Sequence, residues 1–175
     1  AQRIVFYLLK NNDDKAQFIT EALTKSLESI KECSQCRMYT DSDVCEICLD
    51  EKRNSKTICI IESPADLLAI ENTQQYNGKY FVLMGHLSPI DGIGPDELKI
   101  NDLEELIVSR SIKEIILASS PTVEGEATAN YIATIAENNN IKATRIAYGV
   151  PVGGELEYVD ANTLIQAMNN RNIMD

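Results

Sequence analysis

The chain has 175 residues, 44% of them hydrophobic, and a formal net charge of −11. That length allows one ordinary domain with a sizeable core and a small attachment. The acidity argues against a general polyanion binder, because nucleic-acid affinity draws mainly on phosphate neutralisation by Lys and Arg.

No apolar run approaches the roughly 20 residues of a membrane span, and no signal-peptide pattern opens the chain, so the cytoplasm is the expected compartment. The first residues, Gln2-Arg3-Ile4-Val5-Phe6-Tyr7-Leu8-Leu9, read as mid-helix, as expected of a truncated or processed start. Further on, Phe18, Ile19, Ala22, Leu23, Leu27 and Ile30 recur mostly at three- and four-residue intervals. This spacing predicts helices over 1–10 and 14–31, divided by Asn11-Asn12, with Asp13 or Asp14 as N-cap of the second.

Cys33-Ser34-Gln35-Cys36 and Cys45-Glu46-Ile47-Cys48 follow, eight residues apart. Two such pairs form tight turns that can present four thiolates to one tetrahedral ion. The alternatives are two disulfides or a redox dithiol. A cytosolic chain disfavours the first, and a thioredoxin-like motif would carry a single pair on a βαβ unit. One structural zinc ion per chain, held by Cys33, Cys36, Cys45 and Cys48, is therefore expected, with no open position for a substrate. Arg37 is expected to help stabilise the thiolates, and the knuckle reads as a unit whose loss would leave the remaining fold intact. Cys59 lies within Thr57-Ile58-Cys59-Ile60-Ile61 and reads as core packing.

Strand-like runs cover 57–62, 80–84, 114–118 and 142–147, alternating with helix-like runs over 64–73, 101–109 and 125–137, and a final helix over 162–170. This order predicts an α/β fold with a mostly parallel sheet flanked by helices on both faces. Ser63-Pro64-Ala65-Asp66 is a well-formed helix start. Two loops are dense in turn formers: 86–95, which contains the only histidine, His86, and Gly92-Ile93-Gly94-Pro95, and 148–158. The first reads as a structured loop rather than a DNA-binding hairpin, because nothing helical precedes it and no Lys or Arg follows before Lys99.

Ligands of open parallel sheets bind beyond the carboxyl ends of the strands. Glu62 and the turn from Ser119 to Glu126 belong there, so Glu62, Glu124 and Glu126 could converge on a divalent cation for phosphoryl chemistry. Equally, they could be solvated carboxylates near helix starts.

Thr122-Val123-Glu124-Gly125-Glu126-Ala127 resembles the second signature of the Toprim domain: Asp-x-Asp, two residues, Gly-Glu, with a separate Glu ending the first strand. Glu62 and Gly125-Glu126 match, whereas the two aspartates fall on Ser120 and Thr122. With the four-cysteine knuckle, 62–67, 88–95, 121–128 and 151–158, the chain resembles the RecR family of bacterial recombination mediators over essentially its whole length. Members open with a helix-hairpin-helix ending in Gly-Ile-Gly-Pro and then an Ala-Gln-Arg helix. Ala1-Gln2-Arg3 begins at that helix, so most of the DNA-binding element is expected to be missing.

The resemblance implies a protein without catalysis of its own. Such a protein works with RecO, and in some pathways RecF, to load RecA onto single-stranded DNA coated by SSB, as a dimer or ring-shaped tetramer that encircles DNA. It implies a remnant of the N-terminal region over 1–32, a zinc finger over 33–55, a Toprim domain over 56–148 and a Walker-B-like oligomerisation segment over 149–175. Glu62, Glu124 and Glu126 become contacts for a basic partner. Arg3 and Lys10 become residual contacts to single- or double-stranded DNA, weakened in this chain, and the location becomes nucleoid-associated during repair. The rival reading is a magnesium-dependent Toprim nuclease or phosphotransferase using Glu62, Glu124 and Glu126; a zinc-bearing protein that binds DNA directly is a third.

Overall fold

The structure, a computed structural model, describes residues 2–11 and 13–171, apart from the side chains of Asn11 and Asp13. Helix α1 (Gln2–Asn11) and helix α2 (Asp13–Ser29) pack on each other. Since α2 begins at Asp13, both Asp13 and Asp14 lie within the helix, and neither is the N-cap expected of them.

The knuckle holds a two-stranded antiparallel pair, β1 (Lys31–Glu32) and β2 (Tyr39–Thr40), and a one-turn helix α3 (Glu46–Leu49). The four-stranded parallel sheet comprises β3 (Asn54–Ile61), β4 (Gly78–Val82), β5 (Glu114–Ala118) and β6 (Lys142–Arg145), in the order β4-β3-β5-β6. Helices α4 (Pro64–Glu71), α5 (Ile100–Ser109) and α6 (Val123–Asn138) connect them, and a 3-10 turn (Leu156–Tyr158) precedes helix α7 (Ala161–Asn169).

Because β4 lies on one side of β3 and β5 on the other, the crossovers put their helices on opposite faces of the sheet. One face buries Ile58, Ile60, Phe81 and Leu117 against Leu103 and Ile107 of α5 and Ala129, Ile132 and Ala136 of α6. The other buries Cys59, Ile61, Tyr80 and Val82 against Leu67 of α4, with Met38 and Ile47 of the knuckle packed beside them. The near-continuous apolar strands are thus explained by burial on both sides.

Strand β4 is an edge strand, yet every one of its residues is buried. The knuckle covers it. Val82 N donates to Cys36 O at 2.9 Å, so the first cysteine turn takes up part of the hydrogen-bonding capacity of an open edge. Arg37 donates to Leu83 O and Leu98 O, both at 2.9 Å, and to Glu32 at 3.1 Å. Arg37 thus makes its hydrogen bonds to carbonyls and a carboxylate, so any help it gives the thiolates comes through its charge and not through a direct bond to sulfur. One expectation is corrected: the knuckle is built into the main core instead of being separable from it.

Helix starts follow their local chemistry. Ser63 caps α4 in a capping box with Asp66: Asp66 N donates to Ser63 Oγ at 3.3 Å, and Ser63 N donates to Asp66 Oδ2 at 2.8 Å. Thr122 Oγ accepts from Gly125 N at 3.1 Å, so α6 begins at Val123, two residues earlier than the pattern suggested. That shift places both Glu124 and Glu126 in its first turn, where carboxylates are favoured.

Candidate functional site: a four-cysteine centre and a disarmed Toprim junction

The two CxxC turns bring the sulfurs of Cys33, Cys36, Cys45 and Cys48 within 4.8 Å of one another, three of the residues being buried. Cys36 Sγ and Cys45 Sγ are 3.5 Å apart. A tetrahedral zinc with bonds of about 2.3 Å requires sulfurs about 3.8 Å apart, so the donor set and its spacing fit the ion. Cys33 Sγ accepts backbone N–H groups from Cys45 at 3.3 Å and Gln35 at 3.5 Å, which stabilises charge on that sulfur. The Cys36 and Cys45 thiols hydrogen-bond to each other, so their protons are held unequally: that contact pushes Cys36 far up and holds Cys45 down. A zinc ion replaces those protons and closes the site, leaving no position for substrate. Cys59 stands apart in the core, its thiol pushed up to about 12 by burial.

The second region lies where β3 and β5 end side by side, with Ile61 paired to Ala118. The strand order reverses at β3, so this is the switch point at which a parallel sheet offers its crevice. Glu62 follows β3 and reaches across to the turn after β5. Its Oε1 accepts Ser120 N and its Oε2 accepts Ser120 Oγ, each at 2.9 Å. The Glu62 side chain is only 12% exposed, and His86 Nδ1 lies 4.0 Å from Oε2. Gly125 makes this closeness possible. A Cβ there would sit 2.1 Å from Ser120 O and 2.9 Å from Glu62 Oε1, distances no side chain tolerates.

Glu126 is engaged differently. It pairs with Arg145 Nη1, while Arg145 Nε donates to the Tyr148 hydroxyl at 2.9 Å and the guanidinium lies over that ring at 4.8 Å. The Tyr148 hydroxyl donates in turn to Ser119 O at 3.0 Å, locking the loop after β6 onto the turn after β5. Glu124 stands exposed on the first turn of α6, with no side-chain partner among the described residues. Beside these groups opens a cavity of about 690 Å³, lined by Thr122, Val123, Glu126, Tyr148 and α7 residues such as Thr163 and Gln166. Arg145 and Tyr148 were not singled out from the sequence. The one available signal was a cation at the end of the last strand, facing a Gly-Glu turn.

The three glutamates therefore share one edge of the sheet but have three different fates. Among the described residues, the four cysteines form a cluster able to hold a metal ion, and the glutamates do not join into one. Arg3 and Lys10 are both exposed on α1, two turns apart and so on one face.

Comparison with family models agrees with this anatomy. Residues 30–50 match the four-cysteine zinc finger domain of RecR, 56–147 match the Toprim domain, and 149–172 match the RecR C-terminal domain; the Toprim match alone spans more than half of the chain. The chain belongs to the RecR family. Its domains support a role as a recombination and repair mediator, and they point to a non-catalytic protein that binds zinc through Cys33, Cys36, Cys45 and Cys48. Among the described residues, no helix is long and apolar enough to cross a membrane.

Proposed function

We propose that this RecR-family chain is an adaptor without catalysis of its own, which works with RecO and RecF to load RecA onto single-stranded DNA coated by SSB. The observation that carries the reading is the state of Glu62. Its two carboxylate oxygens are taken by Ser120, the residue that stands where a catalytic Toprim domain has an aspartate. Metal-assisted phosphoryl transfer needs several charged oxygens free to face one hard cation. Here Glu62 is committed to a turn, Glu126 to Arg145, and positions 120 and 122 carry neutral hydroxyls.

The same edge serves as a partner surface. Glu124 contributes an uncommitted carboxylate beside the exposed Val123, Glu126 contributes a half-exposed one, and Glu62 supports the turn from within. Arg3 and Lys10 retain part of a basic surface for DNA. Residues 1–32 represent the end of the N-terminal region, 33–55 the zinc finger, 56–148 the Toprim domain and 149–175 the segment that supports a homodimer or homotetramer around DNA. The protein acts in the cytoplasm and joins the nucleoid during repair.

Titration of purified RecO against this chain and against Glu124→Lys tests the surface. The variant is expected to bind at least about tenfold more weakly, with zinc content and thermal unfolding unchanged, since reversing a charge against a complementary patch costs well over about 1.4 kcal/mol. Equal affinity would remove the acidic surface from the proposal. Magnesium-dependent DNA cleavage that disappeared in Glu62→Gln would overturn the non-catalytic reading.

A further inference from the structure

Lys79 lies on the edge strand β4 and is only 7% exposed. Lysine is almost never buried to this degree without a carboxylate, because removing an ammonium from water is expensive. Among the described residues no carboxylate pairs with it. Its three protons go instead to the backbone carbonyls of Ile47, Cys48 and Asp50, at 2.8, 3.0 and 2.8 Å. Those carbonyls satisfy its hydrogen bonds but carry no net charge to balance it. All three belong to the turn that carries the second cysteine pair, and one is the carbonyl of Cys48 itself.

Arg37 repeats the theme on the other turn. It follows Cys36 directly, is 8% exposed, and places Nη1 on two backbone carbonyls, with Glu32 as its carboxylate. Four thiolates around one divalent zinc ion leave a net double negative charge, and this centre is buried. Two buried cations therefore flank a buried dianion, one seated on each cysteine turn.

We propose that Lys79, assisted by Arg37, supplies the counter-charge of the zinc centre and thereby couples metal binding to the edge of the Toprim sheet. Both are positioning residues: Lys79 holds the second cysteine turn by its carbonyls, whereas Arg37 ties the first turn to the Leu83 and Leu98 carbonyls of the Toprim part, and each lowers the cost of gathering four thiolates in a dry site. In the metal-free chain the same buried ammonium lacks its balance. Charge and metal should therefore be coupled thermodynamically, and that distinguishes this role from plain carbonyl capping.

The test is a cycle on the whole chain, with and without zinc, comparing wild type with Lys79→Met. Zinc affinity is read by competition with a chromophoric chelator, and stability by urea unfolding in both metal states. Lys79→Met is expected to weaken zinc binding by about 10- to 100-fold, the usual range for partners of metal ligands. It is also expected to leave the metal-free chain as stable as wild type, or more so. If the lysine serves only as a cap, both metal states lose stability equally and zinc affinity is unchanged; that result overturns the proposal. Should Lys79→Met not fold, Lys79→Gln keeps hydrogen-bond donors without charge and must show the same loss of affinity. Lys79→Arg, which retains the charge, must recover most of it.

Discussion

Replacing both Ser120 and Thr122 by Asp restores the acidic pattern of a catalytic Toprim turn and tests whether Ser120 is what disarms it. In the native chain Ser120 Oγ donates to Glu62 Oε2 at 2.9 Å, and the Glu62 side chain is almost enclosed. A carboxylate at position 120 removes that hydrogen bond to a charged group, which is worth about 1.5–3 kcal/mol. It also sets two like charges about 4 Å apart, repelling by about 4 kcal/mol at an effective dielectric constant of about 20. Ser120 is itself exposed, so solvent screening reduces the second effect, and a net loss of about 2–4 kcal/mol is expected. Position 122 adds little, because Asp caps a helix as well as Thr does. For a chain of this size the loss corresponds to a fall in Tm on the order of 5–15 °C.

Magnesium should return part of that stability. At about ten times its Kd a cation bound only by the native state contributes about 1.4 kcal/mol. The assay is thermal unfolding in resin-treated buffer, which leaves the knuckle's zinc in place, with and without added magnesium. Wild type should show no magnesium-dependent shift. A double variant as stable as wild type without magnesium would refute the reasoning, because Glu62 would then not depend on Ser120.

Gly125→Ala forces a Cβ onto the Ser120 carbonyl and the Glu62 carboxylate, and should cost about 1–3 kcal/mol by urea unfolding, more than an exposed Ala substitution in the same helix. Cys45→Ser should lower the stability of the sheet along with that of the knuckle, because Cys36 O, Met38 and Ile47 all bear on its edge and underside. Hydrogen exchange at Val82 N–H, accelerated in step with the knuckle amides, would show it. Alkylation at about pH 8 under native conditions should leave Cys59 unmodified in both metal states, since burial holds its thiol up to about 12 and so almost wholly protonated there. The four ligand cysteines should become modified only once zinc is stripped. Mass spectrometry of peptic fragments reads both.

Much of the fold was legible because the central strands are buried on both faces where they cross the core, and the starts of α4, α6 and α7 carry their own side-chain caps. Ile58, Ile60 and Ile61 announce an interior strand, and Ser63-Pro64-Ala65-Asp66 announces the helix that follows. The ligand set was legible for a comparable reason: a CxxC turn is a local object, and two of them leave few alternatives. The knuckle's small hairpin was not, because two-residue strands leave no periodic trace. Nor was the true start of α6, which depends on where Thr122 places its hydroxyl.

Residue types and their order determined, by themselves, that four thiolates lie in two turns, that a parallel sheet follows, and that the Toprim turn bears Ser120 and Thr122 in its acidic positions. Those are one-dimensional properties, written in spacing. Tertiary structure alone decided what becomes of each charge. Strand pairing in register Ile61↔Ala118 delivers Glu62 to Ser120, sequence-remote Arg145 claims Glu126, and burial of β4 under the knuckle turns Lys79 from a surface-type residue into a buried cation beside the cysteines. Electrostatic partnerships depend on distance and dielectric in three dimensions, and no local pattern in the chain encodes either one.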